Sequence, residues 1–327
     1  MTQDTHTHRT DLLIVGAGPV GLFAAYYAGF RGLDVAVVDS LPELGGQITA
    51  MYPEKAILDV AGFPSVKGRD LVTGLVEQAD TAKPTYLLGR AAVSLDHREE
   101  DAVVGLDDGT SVVARTVLVT AGIGRFSPRP LPAAEGWEGR GVEFFVPSFE
   151  PYVGKDVVIV GGGDSAFDWA LHLHPVARSV TLVHRRDAFR AHQRTVDQVR
   201  ALGVEIVTRA EVTALHGNGL LEEVEITVDE QAQRRPAQAV VAALGFIADL
   251  GPLTEWGLEL DKRHLVVDSA MRTNLPRVFG AGDITEYPGK VRLIAVGFGE
   301  AATAVNNAAV VIDPAAHVFP GHSSEGH

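Results

Sequence analysis

Leu12–Gly21 reads LLIVGAGPVG, and the fold turns on it. Leu12–Val15 is apolar at consecutive positions, the pattern of a strand buried on both faces. Gly16, Gly18 and Gly21 follow with the spacing of a dinucleotide-binding turn. The first permits a tight bend, the second lets the backbone approach a pyrophosphate, and the third lets helix and strand pack closely. Phosphates then rest on the free amides at a helix start. Outward from the loop, Leu22–Phe30 reads as a helix and Val35–Val38 as a second strand, which completes a βαβ unit. Asp39 ends that strand, where a carboxylate can accept hydrogen bonds from the ribose hydroxyls of an adenosine. It would repel a 2′-phosphate, so this unit suits FAD or NAD better than NADP.

The pattern restarts at Asp156–Val160, with Gly161, Gly162 and Gly163 in the turn and Ala166 in the third glycine's position. A helix over Ala166–Leu173 and a strand over Val180–His184 follow. Asp164 departs from a bare phosphate cradle. This strand ends in LVHRR, giving His184, Arg185 and Arg186, with Arg190 one turn farther on. Guanidinium groups there can fork onto a 2′-phosphate and select NADPH over NADH. A basic run by itself is often only a solvated face. The position of this one, at the ribose end of a glycine unit, favours the phosphate. Two loops with opposite preferences imply two nucleotides in one chain, one a resident flavin and the other a hydride donor.

The fold class is therefore α/β, with two Rossmann-like dinucleotide-binding domains: an FAD domain over 1–124 and 245–327, split by an inserted NADPH domain over 125–244. Between the glycine units the pattern predicts a helix over Asp70–Thr81 and strands near Tyr86–Gly89, Ala91–Leu95, Ala102–Leu106 and Thr116–Ala121, with a hairpin turn at Asp107–Gly109. A last helix spans roughly Val291–Val311.

The 327 residues suit two cores, and 46% apolar with 21% charged residues is ordinary for a globular protein. A net charge of −14 argues against nucleic acid or an anionic membrane as partner. The chain has no cysteine, which excludes disulfides, thiolate nucleophiles and cysteine-held iron-sulfur clusters. No apolar run reaches the roughly 20 residues of a membrane helix, and the polar start lacks a signal-peptide core. A cytoplasmic location is expected. His172 and His174 point to different faces of a helix and make no ligand pair, so no metal site is expected.

GAGPVG, LGGQ (44–47), TAGIG (120–124), GGGDSA (161–166), HRRDAFR (184–190) and GAGDIT (280–285) together resemble the thioredoxin-reductase-like flavoproteins along nearly the whole chain. Members of that family that reduce thioredoxin carry a Cys-x-x-Cys just before the second glycine loop, where this chain reads EFFVPSFEPYVGK (143–155). ITAMYPEKAILDVAGFP (48–64), GGGDSAFDWAL (161–171) and the tail VFPGHSSEGH (318–327) narrow the resemblance to the ferredoxin/flavodoxin-NADP reductases of this fold. The resemblance implies a homodimer with Tyr52 stacked on one face of the flavin ring and His322, from the tail, over the other. It implies further FAD contacts from Asp39, Gln47, Ala92, Phe126, Asp283 and Ser324.

NADPH gives up two electrons as hydride whereas ferredoxin or flavodoxin takes one at a time, and a flavin can bridge the two. The demand on the protein is then positional, with nicotinamide about 3 to 3.5 Å from the accepting ring nitrogen. If Tyr52 and His322 cover both faces, the tail gates that approach. The glycines at 122–124 and 245 are hinges for the inserted domain or plain turns. Two other readings stay open: an NADPH-dependent flavin disulfide reductase lacking an internal dithiol, and a two-nucleotide redox sensor.

Overall fold

The computed structural model describes residues 7–319 and 321. The chain forms two compact units, one from the residues up to Arg125 and from Ala248 on, the other from Phe126–Ile247.

In the first unit, β1 (Thr7–Val15), α1 (Pro19–Phe30) and β2 (Val35–Asp39) form the βαβ start. A short helix α2 (Gln47–Met51), absent from the sequence expectation, and helix α3 (Gly68–Asp80) come next. Strands β3 (Thr85–Leu88), β4 (Ala92–His97), β5 (Ala102–Leu106) and β6 (Ser111–Val119) complete the run. The sheet order is β3-β2-β1-β6-β5-β4. β1 pairs in parallel with β2 and β6, so that Leu13 lies between Ala36 and Val117. The chain thus winds one way from β1 to β2 and the other way to β6, which opens a crevice at the carboxyl end of β1.

β1 begins five residues before the apolar run because polar residues from Thr7 on extend the pairing against Ser111–Ala114 of β6. α1 begins at Pro19 rather than Leu22, since proline's fixed φ and missing N–H suit the first helical position. The turn after β5 is as expected, with Gly109 at φ +87° donating its N–H to the Leu106 carbonyl.

Side chains alternate across the sheet. Leu12, Ile14, Val35, Val37 and Leu118 pack under α1, α3 and the last helix (Ile294–Ile312). Leu13, Val15, Ala36, Val38 and Val117 face Leu250, Leu253 and Trp256. The outer edge of β6 is shared: its first half pairs antiparallel with β5, and Val117–Val119 pair in parallel with Val278–Gly280. The last helix is long and apolar enough by composition to cross a membrane. It instead packs on α1 and β6 and buries Glu300 and Asn307.

The second unit repeats the plan with β7 (Asp156–Val160), α4 (Asp164–Leu173), β8 (Ser179–His184), α5 (Gln193–Ala201) and β9 (Glu205–Thr208). An antiparallel sheet of β10 (Ala210–His216), β11 (Glu223–Val228) and β12 (Gln231–Pro236) precedes β13 (Ala239–Ala242), which pairs in parallel with β7. The parallel strands run β13-β7-β8-β9, so a second crevice opens at the carboxyl end of β7.

Two helix glycines test this packing in opposite directions. A Cβ on Gly29 would lie 2.2 Å from Ala82 Cβ, whereas a Cβ on exposed Gly74 of α3 would meet nothing within 4 Å. Gly74→Ala should therefore stabilise by about 0.5–1 kcal/mol through helix propensity. In Gly29→Ala the same gain is outweighed by an overpacking cost of about 1–3 kcal/mol. Urea midpoints shifting up for the first and down for the second would confirm the placement of α1.

Candidate functional site

Each crevice is built from a glycine loop pressed against the strand across the switch point. A Cβ on Gly16 would lie 2.5 Å from the Thr120 carbonyl oxygen just beyond β6, and one on Gly161 would lie 2.4 Å from the Ala243 carbonyl oxygen just beyond β13. A Cβ on Gly21 would lie 1.9 Å from the Gly16 carbonyl oxygen. Thr120 Oγ1 donates to that same carbonyl at 2.7 Å. Gly18 and Gly163, the residues capping α1 and α4, face open space. Each loop is therefore tight where it meets the protein and open where a phosphate would sit, which is the fit a dinucleotide requires.

In the first crevice, Asp39 is tied to the glycine loop. Its Oδ2 accepts from Ala17 N–H at 2.7 Å and its Oδ1 from Leu41 N–H at 2.8 Å. Burial raises its pKa above the ordinary carboxylate value despite these two bonds, which act the other way. Both oxygens keep lone pairs for hydroxyl donors.

Gln47 opens α2, and its Nε2 lies 2.7 Å from where a Gly122 Cβ would be. Tyr52 ends α2, half-buried. Its hydroxyl is pushed up to about 12, first by burial and then by the charges of Asp283 and Asp59. The structure thus brings Tyr52 and Asp283 into one field and keeps the hydroxyl protonated. The 48–64 loop carrying Tyr52 is pinned by buried Glu54, which pairs with Lys67 at 3.4 Å and with Arg69. Asp283 follows Gly282 in a turn beyond Val278–Gly280, and burial raises its pKa against the opposing charges of Lys290 and Arg292.

Ala92 opens β4 at a bulge opposite Leu106, away from the groups above in the sequence but packed on the same sheet core. Phe126 is the first residue of the inserted unit and packs edge-on against Phe145 and Phe246. His322 and Ser324 lie outside the described residues.

In the second crevice the His184 ring closes over Gly162, where a Cβ would come within 2.4 Å of it. Burial, then the charges of Arg185, Arg186 and Arg190, lower the His184 pKa and keep the ring neutral. The three guanidinium groups are exposed. Neighbouring Asp187 turns instead to the Thr208 hydroxyl and Arg209. Asp164 opens α4, and its Oδ1 accepts from His192 N–H at 2.8 Å. Arg190 N–H also donates to the Gly162 carbonyl at 2.8 Å. Asp164 therefore ties the basic loop to the glycine loop, a role its helix-start position alone did not indicate.

Sequence reasoning missed Thr120, Glu54, Lys290 and Glu300. One readable signal was Glu300 itself, a lone acid amid the Ala- and Gly-rich last helix. Among the described residues no cluster of three or more acids and histidines could hold a metal ion.

Two Rossmann-type domains, an FAD domain split by an inserted NADPH domain, with an acid ending one glycine unit and arginines the other, define a pyridine-nucleotide flavoprotein oxidoreductase. The model of the pyridine nucleotide-disulphide oxidoreductase family matches residues 10–308. A ferredoxin–NADP reductase of Nocardioides sp. (strain ATCC BAA-499 / JS614) is 79% identical over 321 residues, covering 97% of each chain. One from Salinispora arenicola is 66% identical, covering 97% of this chain and 98% of its own. In fold the chain is similar to T. acidophilum thioredoxin reductase, with a TM-score of 0.79 at 24% identity over 94% of this chain and 100% of that one. The chain belongs to the pyridine nucleotide-disulphide oxidoreductase family and, within it, to the ferredoxin–NADP reductases of the thioredoxin-reductase-like type.

The His184 environment gives a pH test. Because its folded pKa lies below the ordinary 6.5, the unfolded chain takes up this proton first, and stability complete above pH 6.5 falls as pH drops through it. The thermal midpoint of the wild type should fall more steeply between pH 7.5 and the lowered folded value than that of His184→Gln. Parallel slopes would place the ring in solvent.

Proposed function

We propose that the protein passes electrons between NADPH and ferredoxin through FAD held in the first crevice, with flavodoxin as an alternative carrier. One observation carries this reading: an acid-ended and an arginine-ended glycine unit coexist in a chain with no cysteine. Bound FAD supplies the conversion between two-electron and one-electron transfer. The chain's own residues bind, orient and shield. Gly16, Gly18 and Gly21 receive the pyrophosphate, and Asp39 takes the adenosine ribose. Asp283 and Gln47 would contact the cofactor, and Tyr52, with its neutral hydroxyl, would stack on one face of the ring. Ala92, Phe126 and Ser324 would complete the contacts, and His322 would cover the ring's other face, in which case the tail would have to move to admit nicotinamide.

In the inserted domain, Gly161 and Gly163 receive the NADPH pyrophosphate. Arg185, Arg186 and Arg190 take the 2′-phosphate beside neutral His184, and Asp164 acts by holding the arginine loop. Gly122, Gly124 and Gly245, all at positive φ, serve as hinges. The protein works as a homodimer in the cytoplasm. The domain limits proposed are 1–124 with 245–327 for FAD and 125–244 for NADPH.

Anaerobic reduction of the purified protein by NADPH, followed by added ferredoxin or flavodoxin, tests the function. Rapid carrier reduction with NADPH far above NADH supports it. Turnover with disulfides and not with either carrier would overturn it. Arg185→Ala and Arg186→Ala should each raise KM for NADPH about 10- to 100-fold, a charge-assisted bond of about 1.5–3 kcal/mol, and leave NADH within about twofold. Equal losses with both nucleotides would remove the 2′-phosphate assignment.

A further inference from the structure

Gly282, the residue before Asp283, is held by both of its backbone polar groups. Its N–H donates to Glu300 Oε2 at 2.7 Å, and its carbonyl accepts from Lys290 Nζ at 3.0 Å and from the Thr285 hydroxyl at 2.8 Å. Lys290 Nζ lies 2.5 Å from Glu300 Oε1, and the Tyr287 hydroxyl donates to that oxygen at 2.6 Å. The Lys290 and Glu300 side chains are 1% and 4% exposed.

Stability alone does not account for this pair. Replacing a buried ion pair with apolar residues is often neutral or stabilising, because desolvation offsets the attraction. Apolar residues cannot, however, hold the donor and the acceptor of one residue at once. That residue is at φ +84°, and a Cβ on it would press Val20 Cγ2 at 3.2 Å, in the first turn of α1. On the other side, a Cβ on Gly297 of the last helix would lie 2.5 Å from the same methyl group. The turn carrying Asp283 therefore sits beside the helix start that receives phosphate, and the Glu300–Lys290 pair fixes its height and tilt.

We propose that Glu300 and Lys290 are positioning residues for the cofactor, setting the Gly282–Asp283 turn against the start of α1 so that FAD binds tightly and in one orientation. This rests on the reading that the first crevice holds FAD.

The test compares wild type, Glu300→Gln, the double variant Lys290→Met/Glu300→Gln, and Tyr287→Phe, which leaves both bonds to Gly282 intact. Three quantities are measured: the FAD dissociation constant of the flavin-free protein by fluorescence quenching, the thermal midpoint of that flavin-free protein, and the fine structure of the visible band after reconstitution at saturating FAD. Glu300→Gln and the double variant should weaken FAD binding at least about tenfold, the scale of lost bonds to charged groups. Both should blur the band, with Tyr287→Phe unchanged in both respects. If Glu300→Gln alone fails to fold, the double variant, which leaves no unpaired buried charge, carries the comparison. The proposal is overturned if the double variant binds FAD as tightly as wild type with the same band, whatever its midpoint, or if it too fails to fold, since the pair is then structural. Wild type that binds no FAD at all would instead defeat the underlying function.

Discussion

The approach of Gly16 to the Thr120 carbonyl is the constraint on which the rest depends. A methyl group has no room there, and a Cβ on Gly21 in the first turn of α1 would likewise press the Gly16 carbonyl and the Thr120 hydroxyl. Asp39 can reach the Ala17 amide because the loop lies low. The inserted domain meets the same requirement independently at Gly161 and Ala243. The same steric solution thus appears twice in one chain with different surroundings. What differs is the charge at the end of each second strand, a carboxylate at Asp39 in one and arginines from Arg185 on in the other.

Charge is placed sparingly in this acidic protein. The guanidinium groups of Arg185, Arg186 and Arg190 face outward, while nearby Asp187 turns to Thr208 and Arg209. In the first domain the carboxylates of Asp39 and Asp283 are buried enough to sit above their ordinary pKa. Backbone amides donate to Asp39, and Lys290 and Arg292 set opposing charge near Asp283.

Much of this was legible in the sequence because glycine spacing and strand-end charge are local. Residues 12–39 and 156–190 contain both nucleotide units almost complete. The misses share one cause, which is distance along the chain. Glu300 acts on Gly282, Thr120 on Gly16, and His192 on Asp164, and no periodicity reports partners so far apart. Polar strand extensions were missed for a related reason: Thr7–Thr10 pair with Ser111–Ala114 without an apolar pattern to mark them. The tail residues His322 and Ser324, implied by the resemblance, lie outside the described residues.

The shared edge of β6 has a consequence for how the chain is made. Val117 pairs with Val278, so the ribosome must synthesise the whole inserted domain before the strand that finishes the first sheet exists. The inserted domain is contiguous and can close as soon as it emerges. The earlier half-domain meanwhile waits with the far half of one strand edge and its hydrophobic face uncovered, until Val278–Gly280 and then the last helix arrive. This closure is long-range, the kind of pairing whose loop-closure entropy must be met before the contact rewards it. The core of the first domain is thus completed by its latest-made elements, Val278–Gly280 and the helix over Ile294–Ile312, rather than by the strands that begin it.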